Sequence, residues 1–129
     1  LGLVNTCRWY VGEWAAQSGI VVVTRLRSLT PEPADAVRTD AFRILQELLT
    51  NVARHAGASQ VTVSLSSGRA GLRLTVKDNG SGFAAEASDN YGLLGIRERV
   101  RRHRGCVDID SGAQGTSVSA LIPLPGAAG

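Results

Sequence analysis

The chain has 129 residues, 43% of them hydrophobic, which suffices for one domain around a single core and not for two of ordinary size. It holds no apolar run of about 18 residues and no signal-peptide pattern, which excludes a membrane-spanning helix within this stretch and reads as a soluble piece. The net charge of +3 is mild, and two cysteines, Cys7 and Cys106, make neither a disulfide framework nor a metal set, so reduced thiols in a cytoplasmic setting are expected. The chain starts on Leu and lacks Met, as a piece of a longer protein would, and that parent can itself be membrane-anchored.

In chain order, Leu3, Cys7, Val11 and Trp14 recur at helical spacing and the run stops at Ser18 and Gly19, which predicts a helix over residues 3–17. The β-branched "IVVVTRL" that follows is strand-like. "TPEPAD" (residues 30–35) is a loop leading into a long helix over about residues 36–56, closed by Gly57. Val61, Val63 and Leu65, then Leu72, Leu74 and Val76, alternate with polar residues around "SSGRAG", the pattern of a hairpin buried on one face. Residues 78–91 are rich in Gly, Ser, Asp and Ala without periodicity, which marks a long loop of the kind kept for function.

A third helix is predicted from Leu93 to about His103. Its basic run "RERVRRHR" lacks interleaved aromatic residues to stack on bases and reads as a solvated face, not a nucleic-acid patch. "CVDIDS" and "TSVSALI" supply two more alternating strands before a loose tail over residues 124–129. Three helices and about five strands in one small unit imply a two-layer α/β sandwich, with a mixed sheet packed against the helices.

Within the long helix, "ELLTNVARHA" places Glu47, Asn51, Arg54 and His55 within an arc of roughly 100°, beside the apolar stripe of Ile44, Leu45, Leu48 and Val52. Three glycine-bearing stretches accompany this polar face. "DNGSGF" (residues 78–83) follows a strand, "YGLLGIRERV" (residues 91–100) opens a helix, and "GAQGT" (residues 112–116) turns between the last two strands. Glycines admit close backbone approach, and amides at a helix N-terminus attract phosphate, so the set suggests a nucleotide pocket. Each piece has a plainer reading as a turn, a helix start or a solvated amide, which does not predict all four in this order.

These four stretches, over about residues 36–122, resemble the N box and the three glycine boxes of the ATP-binding domain of bacterial sensor histidine kinases. That family also contains gyrase-type, Hsp90-type and mismatch-repair ATPases and shares the Bergerat ATP-binding fold. "RILQELLTNVARHAGAS" and "GLLGIRERV" are similar to the short-lid subclass that includes nitrate and nitrite sensors. The resemblance implies that Glu47 is a general base or polarising carboxylate and that Asn51 holds the Mg²⁺ bridging the ATP phosphates. It further implies that Arg54 and His55 face phosphate or ribose, that Asp78 accepts from the adenine amine with Thr116 completing the contact directly or through water, and that Gly115 belongs to the nucleotide-binding set. Gly80, Gly82, Gly92, Leu93, Leu94 and Gly95 would shape the pocket and let residues 83–91 close as a lid ordered by phosphate. Two places depart from the pattern: Asn90 stands where the second box usually begins with glycine, and Ala113 takes the first glycine place of the third.

The resemblance also implies parts this chain lacks. Histidine kinases carry their acceptor histidine on a dimerising helical hairpin, and neither His55, in the nucleotide face, nor His103, at a helix end, has that context. Residues 1–18 are similar to the segment connecting that hairpin to the ATP-binding domain, residues 19–123. The implied partners are therefore ATP, the upstream hairpin of a homodimeric parent and, indirectly, a response regulator. No nucleic acid or direct membrane contact is implied, and the isolated domain is expected to be a monomer. A regulatory or anti-sigma-type nucleotide-binding module, without phosphoryl transfer, is the alternative.

Overall fold

A computed structural model describes residues 2–81 and 93–124, apart from the side chains of His55 and Ala56. Helix α1 (Leu3–Ser18) turns Leu3, Cys7 and Val11 inward at i, i+4, i+8 spacing, while Trp14 is half-buried. No side chain at the N-cap satisfies its first amides. Instead, Glu32 from the loop after the first strand accepts the Leu3 N–H through Oε1 at 2.8 Å. The helix stops at Gly19, whose φ of 74° permits the left-handed cap.

Strand β1 (Val21–Leu26) lies parallel to β2 (Gln60–Gly68), as it must when a whole helix, α2 (Asp35–Asn51), makes the crossover. The predicted helix over residues 36–56 is thus α-helical only as far as Asn51, and Val52–Ala56 form a π-helical turn. A π turn widens the ladder to i→i+5, so Arg54 and His55 are displaced from the angular positions a continuous α-helix would give them. Gly57 ends the segment as expected.

Strands β2 and β3 (Gly71–Asp78) are longer than the alternation suggested, because Ser66 and Ser67 pair with Arg73 and Leu72 without contributing apolar residues to the pattern. Helix α3 (Leu93–Arg102) precedes the hairpin β4 (Cys106–Gly112) and β5 (Gly115–Ile122). The five strands run in the order β1-β2-β3-β5-β4, with every pair but β1–β2 antiparallel. Register puts Val61, Val63 and Leu65, Leu72, Leu74 and Val76, and Val118, Ala120 and Ile122 on one face. Ile44, Leu45 and Leu49 of α2 and Leu93, Ile96 and Val100 of α3 share that core. The architecture is the expected two-layer sandwich of three helices on a mixed five-stranded sheet. Among the described residues no helix is long and apolar enough to cross a membrane.

The two thiols differ sharply in setting, Cys7 being buried and Cys106 exposed. Burial, with the Glu32 carboxylate adding to it, pushes the Cys7 thiol up from 9.0 to about 12. A chromogenic thiol reagent should therefore titrate one cysteine in the folded chain and two in denaturant. Because the folded state holds the Cys7 proton more tightly, this contribution to stability is present below pH 9 and is lost as pH rises towards 12. Denaturant midpoints between pH 8 and pH 11 should fall less in Cys7→Val than in the parent chain.

Candidate functional site

The candidate residues fall on the ends of the elements just described. Asp78 is the last residue of β3 and pairs with Thr116, next to the first residue of β5. Both side chains face the helical layer, and both residues are only 7% exposed. Burying a carboxylate is costly unless hydrogen bonds compensate it. Here Oδ1 accepts the backbone N–H of Gly80 at 2.8 Å and that of Thr116 at 3.4 Å. Both bonds fall on the one oxygen, and Oδ2 takes no hydrogen bond among the described residues. Nor is Oδ2 a sealed, unsatisfied atom, since among the described residues no buried polar side-chain atom lacks a partner. The backbone thus fixes the carboxylate plane through one oxygen and presents the other as an acceptor.

The neighbouring loop positions hold this arrangement. Gly115 has φ 132°, and a Cβ there would lie 2.0 Å from the Asp78 carbonyl oxygen. Thr116 Oγ1 lies 2.8 Å from Ser111 Oγ, tying the β4–β5 hairpin across its strands. Asn79, which the sequence did not single out, anchors the segment on its other side. Its Oδ1 accepts the N–H groups of Ser59 and Gln60 at 2.9 and 3.0 Å, and its Nδ2 donates to Ser59 Oγ at 3.0 Å. The Asn-Gly pair marks a turn, but not the distant amides that the Asn side chain caps. An open cleft of about 460 Å³ at this end of the sheet is lined by Lys77, Asp78, Asp110 and residues 112–117, of which Lys77, Asp110 and Ser117 belong to the outer face, opposite the layer that the Asp78 side chain faces.

Helix α2 packs across β3 and brings the second group. Glu47 and Asn51 stand one helical turn apart near its C-terminal end, both half-buried. Arg54, on the π turn, is exposed. The first turn of α3 supplies Leu93, Leu94 and Gly95, which play different parts. Leu93 is a core residue, Leu94 is 56% exposed, and the Gly95 carbonyl accepts from Arg99 Nη1 at 3.5 Å. The structure therefore gathers Asp78, Gly80, Gly115 and Thr116 into one cluster, with Glu47 and Asn51 on the helix laid over its strand. Gly82, Gly92, the lid over residues 83–91, the side chain of His55 and the tail after residue 124 lie outside what the structure describes. Among the described residues no group of three or more His, Cys, Asp or Glu could hold a metal ion.

Residues 36–126 match the family model described as histidine kinase-, DNA gyrase B-, and HSP90-like ATPase. The chain belongs to this ATPase family. Among its relatives, the sensor histidine kinase MctS of Rhizobium johnstonii is 33% identical over 128 residues, covering 95% of this chain and 28% of MctS. Sensor histidine kinase YdfH of Bacillus subtilis is 42% identical over 98 residues, covering 70% of this chain and 24% of YdfH. The chain thus spans about a quarter of the length of these relatives. In fold it is similar to the histidine kinase domain of the Erythrobacter litoralis EL346 blue-light activated histidine kinase, with a TM-score of 0.83 at 23% identity over 97% of this chain and 62% of that one. The family match runs from the start of α2 through β5, so every element that carries the site lies inside it.

Gly115 gives a test of how firmly the family's third glycine box is built. Gly115→Ala combines a backbone conformation that L-residues avoid with a clash against the Asp78 carbonyl, and should cost about 3 kcal/mol or more. Gly112→Ala, where a Cβ meets nothing within 4 Å, should stay within about 0.5 kcal/mol of the parent chain in denaturant unfolding.

Proposed function

We propose that this chain binds Mg²⁺-ATP and presents the γ-phosphate to a phosphoacceptor histidine outside it, as the catalytic domain of a two-component sensor histidine kinase. The observation that carries the reading is the division of labour within Asp78. One oxygen is held by two backbone amides, and the other is offered, in a buried setting, to a donor such as the adenine amine. A carboxylate so fixed discriminates between amine and carbonyl at the base edge, because a carbonyl would meet another acceptor. Thr116, with a hydroxyl that both donates and accepts, stands beside it.

The helix ends add the phosphate side of the argument. Asn51 and Glu47 lie at the C-terminal end of α2, where the helix dipole favours a cation, and Asn offers the oxygen that a hard ion prefers. These residues fit Mg²⁺, and Asn51 would hold it together with phosphate and water oxygens. When bound, the ion supplies charge neutralisation at the phosphates. Leu93, Leu94 and Gly95 begin α3, whose N-terminal end favours the opposite sign. In this reading Glu47 takes a proton from, or polarises, the attacking imidazole, while Arg54 and His55 face phosphate or ribose oxygens.

The acceptor histidine belongs to the helical hairpin of the parent. His103 is engaged elsewhere, with Nε2 2.7 Å from Asp40 Oδ2, which supports leaving it out of the transfer. Residues 1–18 connect hairpin to catalytic unit, residues 19–123, and the response regulator and homodimeric parent follow from the same reading.

Binding and transfer should separate on mutation. Asp78→Asn should weaken ATP and ADP alike by roughly ten- to a hundredfold in calorimetry, since both carry adenine. Radiolabelled transfer to the parent's hairpin, supplied separately, should fall by roughly 10² in Glu47→Gln while ATP binding stays within a few fold. Asn51→Ala should lose the Mg²⁺-dependent part of ATP affinity. Wild-type transfer rates in Glu47→Gln would make a purely regulatory nucleotide-binding module the better reading.

A further inference from the structure

The basic run of α3 contains an arrangement that a solvated helix face does not explain. Asp40, on α2, is 7% exposed, and three side chains, two from the end of α3 and one from the residue just after it, converge on its carboxylate. His103 Nε2 lies 2.7 Å from Oδ2, Arg102 Nη1 3.4 Å from Oδ1 and Arg99 Nε 4.0 Å from Oδ1. Only the carboxylate end is buried, the Arg102 side chain being 64% exposed, and ion pairs of this kind are poor sources of stability whose better-attested use is to fix one register among several. Without this cluster α3 rests on the core through three apolar residues, Leu93, Ile96 and Val100, a small greasy face that does not by itself dictate position along α2.

Two further facts give the cluster a direction. Asp40 precedes Glu47 by seven residues and Asn51 by eleven, so all three lie on one face of α2. Arg99, while reaching Asp40 with Nε, also donates through Nη1 to the Gly95 carbonyl at 3.5 Å. A single guanidinium therefore links the buried carboxylate to the backbone of the second glycine stretch.

We propose that Asp40 is a positioning residue for the phosphate side of the nucleotide site. It holds α3 through His103 and Arg102, and through Arg99 it sets the backbone at Gly95 relative to Glu47 and Asn51. The proposal rests on the reading of this site as an ATP site. The adenine side, built on Asp78, Gly115 and Thr116, is independent of the clamp.

The test compares ATP with AMP by calorimetry on the whole chain. Asp40→Ala should weaken ATP roughly three- to thirtyfold and change AMP less than about twofold. Arg99→Ala should show the same ATP-selective loss. Tyr10→Ala, which removes an edge-on contact with Phe42 between α1 and α2, should lower the melting temperature and leave ATP affinity unchanged. If Asp40→Ala does not fold, Asp40→Asn keeps the volume and an acceptor for His103 and should show a smaller loss of the same kind. A folded Asp40 variant with wild-type ATP affinity, or one that weakens ATP and AMP equally, overturns the proposal. Failure of the parent chain to bind either nucleotide overturns the ATP reading, and the clamp with it.

Discussion

The register between β3 and β5 is the constraint on which the rest depends. Asp78 opposite Thr116 is one rung of a ladder whose other inward rungs, Val76–Val118, Leu74–Ala120 and Leu72–Ile122, form the floor of the core. Because side chains alternate with period two, a slip of one residue would expel that floor and bring Lys77 and Ser117 to the inner face instead. The hydrophobic effect thus aligns the site as a by-product of aligning the core. Gly115 completes the coupling, since only a residue without Cβ lets the Asp78 carbonyl approach the start of β5 so closely.

Above that floor, α2 acts as a single rod carrying functions at several heights. Its inner stripe of Ile44, Leu45, Leu48 and Leu49 fills the core, and the adjacent stripe presents Asp40, Glu47 and Asn51. One helix therefore carries both the carboxylate that the end of α3 approaches and the residues proposed to meet a nucleotide's phosphates. The outer face of the sheet shows what a surface without such duties looks like. Thr75 and Ser119 share a hydrogen bond there, among Arg73, Lys77, Asp108 and Asp110, and among the described residues no helix covers them.

Much of this was legible in the sequence because it depends on local periodicity. Alternation announced the sheet, the 3.6-residue stripe announced α2, and the glycines announced the turns beside Asp78. Four features were not legible, for physical reasons. The extra length of β2 and β3 hides in serines that pair by backbone alone. The role of Asn79 depends on where Ser59 and Gln60 arrive in space. The split of the basic run, with Arg99, His103 and the still exposed Arg102 reaching Asp40 while Arg97, Arg101 and Arg104 do not, needs a contact across more than 55 residues of sequence. The π turn has no composition of its own; "VARHA" has nothing to distinguish it from the α-helix before it.

That π turn bears on how the chain tolerates change in length. A wider turn accommodates one more residue than an α-helical turn of similar rise, so Val52–Ala56 form the joint at which the helix's spacing is matched to the sheet's. On one side of it Asn51 must keep its angle on α2. On the other, Ser59 and Gln60 must arrive where Asn79 holds them, or β2 enters the sheet out of step with β1 and β3. Losing a single residue from this joint would let the helix close into regular α geometry over a similar rise, so that Gly57 and the start of β2 keep their place. A loss on either side of the joint has no such slack, and its cost would fall on strand register.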